Sequence, residues 1–147
     1  MINRIDCYWN EFCQKAKLEG VQYREAFQFG EKADWLAQLV IEGKKTATSS
    51  SYELYQIEKE PIPKAGEFSI VLNSADMPVA IIEVESVEMH PLNEVPEEFA
   101  LAEGAGTYQE WLDAHVNFFN WLFKQYNLEF KEDLLVVCER FRRVYPE

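Results

Sequence analysis

An amine and an alcohol three residues apart, Lys45 and Thr48, lie in the stretch Ile41-Glu42-Gly43-Lys44-Lys45-Thr46-Ala47-Thr48-Ser49-Ser50, which is rich in hydroxyls and poor in apolar side chains. A lysine and a threonine in one polar loop can do base and nucleophile chemistry. Each residue also has a plain structural reading. Lys44 and Lys45 suit the carbonyl-bearing end of a helix, and Thr46, Thr48, Ser49 and Ser50 suit an exposed strand or a turn. The element that must position them is the run before them. Residues 34–41 place apolar side chains at helical spacing, and Gly43 stands where helices commonly stop in the left-handed conformation.

Other chemistry-bearing residues are few. His115 sits between Trp111 and Phe118 on an apolar face, with no second histidine or cysteine three or four residues away, so a hydrogen-bonded histidine at the core margin is expected and a zinc face is not. His90, before Pro91, reads as an exposed loop residue. Cys7, Cys13 and Cys138 are odd in number and scattered through apolar patterns, which predicts buried free thiols. No glycine-rich phosphate loop, Ser-His-Asp order or metal cluster is present in the sequence, and no cofactor is expected.

At 147 residues the chain is the size of one domain. No apolar run reaches the length of a membrane span, and the opening Met1-Ile2-Asn3-Arg4-Ile5-Asp6 has no basic region followed by an apolar one, so a cytoplasmic protein without membrane contact is expected. Asp and Glu outnumber Lys and Arg by 26 to 14, a net charge of −12. Such a surface repels a long polyanion, so extended nonspecific nucleic-acid binding is not expected, and any RNA contact is confined to a pocket or a few nucleotides.

Read in order, Ile5, Tyr8, Trp9, Phe12 and Ala16 share a helical face that ends by Gly20. Tyr23, Phe27 and Phe29 alternate as in a short strand. Residues 50–64, ending in Pro61 and Pro63, read as a polar loop or edge segment. Residues 68–72 and 79–87 read as an antiparallel hairpin, with Ala80, Ile82, Val84 and Ser86 on one face and Glu83 and Glu85 on the other. Residues 89–96 form a connector and 96–102 a short helix. Thr107 to Glu110 has the form of a capping box opening a long helix with Trp111, His115, Phe118, Phe119 and Phe123 on a broad face. Residues 134–145 read as an interior strand with a basic end.

Gly43-Lys44-Lys45-Thr46-Ala47-Thr48 resembles the signature of the ASCH domain family, small β-barrel proteins related to the PUA fold and linked to RNA or nucleoside recognition. Glu103-Gly104, Trp111, His115 and Phe118-Phe119, followed by a strand ending in Arg-Phe-Arg, resemble a longer branch of that family, and the similarity spans about residues 30–145. The resemblance implies one α+β domain over residues 1–147, a PUA-like small, mostly antiparallel β-barrel flanked by helices, with an N-terminal helical extension over about residues 1–30.

A shorter ASCH relative removes the acetyl group from N4-acetylcytidine with a Lys, a Thr and a Glu. On matching positions the resemblance implies Lys45 as base, Thr48 as nucleophile and Glu103 as the acid that positions or protonates, with Lys44, Thr46, Ser49, Ser50, Trp111 and His115 about the ligand. Where relatives carry an Arg shortly after the second Thr, this chain has Ser49, Ser50 and Ser51. A base role requires a lysine with a usual pKa of ~10.4 to become neutral near pH 7, a preference of about 4 kcal/mol that burial or a nearby cation must supply. A close Glu103 pushes the other way. Binding of a nucleobase, modified nucleoside or short RNA segment is therefore the first reading, and a metal-independent amidohydrolase is the alternative. A third is a protein-interaction or translation-linked co-regulator module that uses exposed aromatics of the first helix. A homodimer is compatible with all three.

Overall fold

The chain lays down α1 (Arg4–Ala16), β1 (Glu25–Gln28), α2 (Ala33–Ile41), β2 (Ala47–Ser51), α3 (Tyr52–Glu58), β3 (Phe68–Leu72), β4 (Pro78–Pro91), α4 (Glu97–Ala102), α5 (Tyr108–Gln125) and β5 (Leu135–Tyr145). The computed structural model describes residues 3–30 and 32–147; Met1, Ile2 and Glu31, and with them part of the opening stretch read above, lie outside the described residues.

The strands form one sheet in the order β1-β3-β4-β5-β2. β1 runs parallel to β3 and every other pairing is antiparallel. The result is a half-barrel of α+β type, mostly antiparallel as expected, whose free edges are β1 and β2. Its inner face follows from the register. Phe27 pairs with Val71, Val71 with Ala80, Val84 with Phe141, and Thr48 with Glu139. α2 closes part of this face, packing Ala37 and Val40 on Phe29, Val71, Ala80, Ile82 and Phe141.

The outer face carries two further clusters. α1 packs Trp9 and Phe12 on Ile70, Leu72, Ile81 and Tyr145. α4 and α5 pack Phe99, Trp111, Phe119 and Phe123 on Ala47, Val136 and Cys138. Each large apolar side chain buried in this way contributes roughly 1.5–3 kcal/mol of transfer free energy. The capping box of α5 forms as read, Thr107 accepting from the Glu110 amide and Glu110 from the Thr107 amide.

Several expectations are corrected. Trp9 and Phe12 are buried, which removes the exposed aromatic face that the interaction-module reading required. α1 stops at Lys17, in the left-handed conformation, before Gly20 is reached. Residues 52–58, read as loop or edge, are the helix α3, whose Leu54 packs against the α5 cluster while its polar residues face out. Met89, His90 and Pro91 are not connector: they extend β4 by pairing with Val137, Val136 and Leu135. A bulge between Val84 and Ser86 moves Ser86 opposite Arg140, so it leaves the face it was expected to share with Val84. Cys7 is exposed, and of the three thiols only Cys138 is fully buried. Among the described residues no helix is long and apolar enough to cross a membrane.

Candidate functional site

α2 ends as its sequence predicts. Gly43 has φ +78°, and the Lys44 and Lys45 amides both close on the Leu39 carbonyl at 2.9 and 3.0 Å. This tight exit turns the chain under α4. The Thr46 amide donates to the Ala102 carbonyl at 2.8 Å, and the Thr46 carbonyl accepts from the Phe141 amide at 2.9 Å. Gly104 completes the approach: at φ +78°, a Cβ there would lie 2.5 Å from the Lys44 carbonyl oxygen, so only glycine lets the residue after Glu103 lie against this backbone.

Glu103 is thereby driven into the protein beside Lys45, and both are buried, at 4% and 3% exposure. Lys45 Nζ donates to Glu103 Oε1 at 3.1 Å and to the Ala47 carbonyl at 2.7 Å, and sits 4.9 Å from the Phe29 ring centre. The other carboxylate oxygen, Oε2, accepts from Ser49 Oγ and from Trp111 Nε1, each at 2.6 Å. His115 Nε2 lies 3.4 Å from it, while Nδ1 is 2.8 Å from the Trp111 carbonyl, so the imidazole stacks on the indole at the core margin. Burial by itself would raise the Glu103 pKa, but the charge of Lys45, then His115 and Ser49, outweigh it and lower it from 4.5 to about 2. Glu103 is a carboxylate with its oxygens occupied.

The sequence-named residues therefore divide. Lys45, Glu103, Ser49, Trp111 and His115 come together, and Trp111 and Ser49 serve Glu103. Thr46 is exposed, with its hydroxyl 3.3 Å from the Ala102 carbonyl. Lys44 points outward and pairs with Glu42 at 3.0 Å. Thr48 leaves β2 on the opposite face from Ser49, and among the described residues no hydrogen bond joins it to Lys45 or Glu103. The group that Lys45 faces is the Glu103 carboxylate.

Thr48 belongs instead to a second group, on the inner face, that sequence reasoning missed. Its cross-strand partner is Glu139. Ser50, two residues along the same face, bonds the Tyr55 hydroxyl at 2.9 Å. Glu139 is half-buried and, among the described residues, has no hydrogen-bond or ion-pair partner. Burial raises its pKa from 4.5 to about 7, helped by the carboxylates of Glu25 and Glu67 and opposed by Arg24 and Lys45. The charges of Glu139, Glu25 and Arg24 act on Tyr55 as well, so groups from β1 and its approach come near β5 and α3. Arg24 is tied down by Glu67 and the Pro61 carbonyl. The signal was visible: Glu139 is the first charge to interrupt the apolar run that begins at Leu134.

Among the described residues no group of three or more His, Cys, Asp or Glu side chains is placed to hold a metal. Three surface grooves open elsewhere, one between α1 and the end of β5, one beside α3 and one along α5; none is lined by a residue named as a candidate.

The sequence model described as the ASCH domain matches residues 25–145. A crystal structure of a protein from Enterococcus faecalis V583 is 39% identical, with 98% of this chain and 90% of that chain covered and a TM-score of 0.90. An ASCH domain from Lactobacillus crispatus JV V101 is 30% identical, with 99% and 96% covered and a TM-score of 0.89. ASCH from Zymomonas mobilis shares the fold at 11% identity, with 81% and 67% covered and a TM-score of 0.52. No functionally curated protein matches.

Proposed function

The chain belongs to the ASCH domain family, and from that premise we propose that it is a binding protein whose inner cleft, between β1 and β2, takes a nucleobase or modified nucleoside, alone or within a short RNA segment. One contrast carries this reading. The polar groups about Glu103 are bonded to one another, whereas Thr48 and Glu139 on the inner face are partly exposed and have no hydrogen-bond partner among the described residues, which leaves both free to bond a ligand. Phe27 and Tyr55, both partly exposed, give the cleft aromatic surface suited to a base. The net charge of −12 keeps the contact to a few nucleotides.

A thermal-shift screen of nucleosides and modified nucleosides tests the proposal. The expected result is a stabilising hit that Thr48→Ala weakens; no shift with any member at millimolar concentration overturns it. A second reading is favoured by the unbonded Thr48 hydroxyl, namely hydrolysis of an N4-acylated cytidine in which Thr48 attacks the acyl carbon, its proton passes by way of the cross-strand Glu139 carboxylate to the departing amine, Lys45 donates to the acyl oxygen, and water then frees the acid from Thr48. Acetate release from N4-acetylcytidine that disappears in Thr48→Ala supports it, and an unchanged substrate dismisses it.

A further inference from the structure

Alone among the α-helices, α3 has no buried residue among those described. Of its seven residues only Leu54 packs against a core cluster, and Ile57, its other aliphatic side chain, is 45% exposed. A helix this short does not persist in water by itself. What holds α3 in place is a pair of side-chain latches to different elements. On the inner side the Tyr55 hydroxyl and Ser50 Oγ bond each other at 2.9 Å. At the far end the Tyr126 hydroxyl, just past α5, donates to Glu58 Oε1.

The two ends of α3 are anchored but not relaxed. β2 stays paired as far as Ser51, opposite Val136. Ser51 stands at the N-cap of α3 yet makes no cap bond, and its hydroxyl is buried without a partner among the described residues, in a residue 2% exposed. Leaving a buried hydroxyl unbonded is costly, and the cost ends when water reaches it. At the other end Lys59 is left-handed, with φ +57°, a conformation that a side chain disfavours. Beyond it the chain is fixed again, because Arg24 donates to the Pro61 carbonyl. From these contacts we propose that α3 is a hinged flap, which detaches and melts as one unit between Ser51 and Pro61 while the sheet stays folded. Its release breaks two latches and the Leu54 contact, and relieves both hinges. It opens the groove of about 380 Å³ in which Tyr52 and Gln56 of α3 face Phe123, Leu134 and Leu135. Such an element opens at a cost well below that of global unfolding.

Hydrogen exchange of the full chain, followed amide by amide by NMR at urea concentrations below the unfolding transition, tests the flap. The reporters are the Lys59 and Glu60 amides, which bond the Gln56 and Tyr55 carbonyls. Relative to their intrinsic rates, both should exchange at least about a hundredfold faster than the paired amides of β4 and β5, and with almost no urea dependence, because little surface is exposed when α3 opens. Tyr55→Phe and Tyr126→Phe each remove one latch and should speed both reporters together by about fivefold, the ordinary worth of one hydrogen bond. Ser51→Ala removes the unbonded hydroxyl and should slow both by about fivefold or more. Reporters that follow the same urea dependence as β4 and β5 overturn the flap, since α3 then opens only with the whole domain. Two reporters that respond separately to the two latch variants overturn it as well, because the helix then frays from one end. Faster exchange in Ser51→Ala overturns the hinge at Ser51.

Discussion

Replacing Glu103 with glutamine should destabilise the protein by about 3–5 kcal/mol at neutral pH, because Lys45 would remain buried without its counter-charge. The same magnitude can be reached independently from the proton. The Glu103 pKa is lowered from 4.5 to about 2, and at about 1.4 kcal/mol per pKa unit this corresponds to about 3 kcal/mol of stability. The sign follows from the direction. A carboxyl with a depressed folded-state pKa contributes its full stabilisation above pH 4.5, and the contribution is lost as pH falls toward 2. Many other acids titrate in the same window, so the informative quantity is the difference between the wild type and Glu103→Gln.

Urea unfolding followed by tryptophan fluorescence at neutral pH, and at steps down to pH 2, measures that difference. It should stand at about 3–5 kcal/mol above pH 5 and shrink by about 3 kcal/mol as Glu103 is protonated, since a protonated glutamic acid and a glutamine are close to isosteric. A difference below about 1 kcal/mol at pH 7, or one that stays constant through the acid range, would refute the account of a charged carboxylate held by Lys45, Ser49 and Trp111.

Trp111→Phe keeps most of the packing but removes the indole N–H from Glu103 Oε2; by urea unfolding it should cost about 1.5–3 kcal/mol, the usual worth of a hydrogen bond to a charged group. Gly104→Ala should cost about 1–2 kcal/mol from the left-handed backbone alone, and more from the contact with the Lys44 carbonyl, seen as a lowered melting temperature. Thr48→Ala should leave stability within about 0.5 kcal/mol, so any loss of ligand binding in that variant is a local effect. With an aromatic disulfide reagent, Cys7 should react in the native state, whereas Cys138, buried and with its thiol pushed up to about 12, should react only on unfolding.

What was legible in the sequence follows what is local. The α5 capping box, the end of α2 at Gly43 and the run of β5 depend on residues within a turn or a strand of one another, and periodicity exposes them. α3 escaped because only Leu54 of its seven residues packs on a core cluster, too little to make a stripe, and Pro61 and Pro63 follow. Glu103 was reachable only through family resemblance, since its partners stand 58, 54 and 8 residues away and no spacing rule joins them. The opposite faces of Ser49 and Thr48 were implicit in strand alternation, yet which of them meets Glu103 depends on how α4 and α5 pack. Glu139 appeared only as one charge in an apolar strand, and its neighbours Arg24, Glu25 and Tyr55 arrive from β1 and α3 through the curl of the sheet.

Lys45 is the one residue shared by the two networks, touching Glu103 on one side and the Phe29 ring on the other. A ligand in the inner cleft can obtain an N–H from this amine by displacing the Ala47 carbonyl, whose hydrogen bond to the charged donor is worth about 1.5–3 kcal/mol, leaving the ion pair untouched. Under the pocket reading Lys45 is a donor held in place by Glu103, and stability and recognition become separable. Lys45→Met combined with Glu103→Leu exchanges the buried pair for apolar side chains and should recover most of the stability that Glu103→Gln loses, because no uncompensated charge remains. Under the pocket reading, the same double variant should bind nucleosides more weakly than the wild type. A stable double variant with undiminished affinity would show that the lysine only braces the fold and that recognition lies wholly with Thr48, Glu139 and their inner-face neighbours.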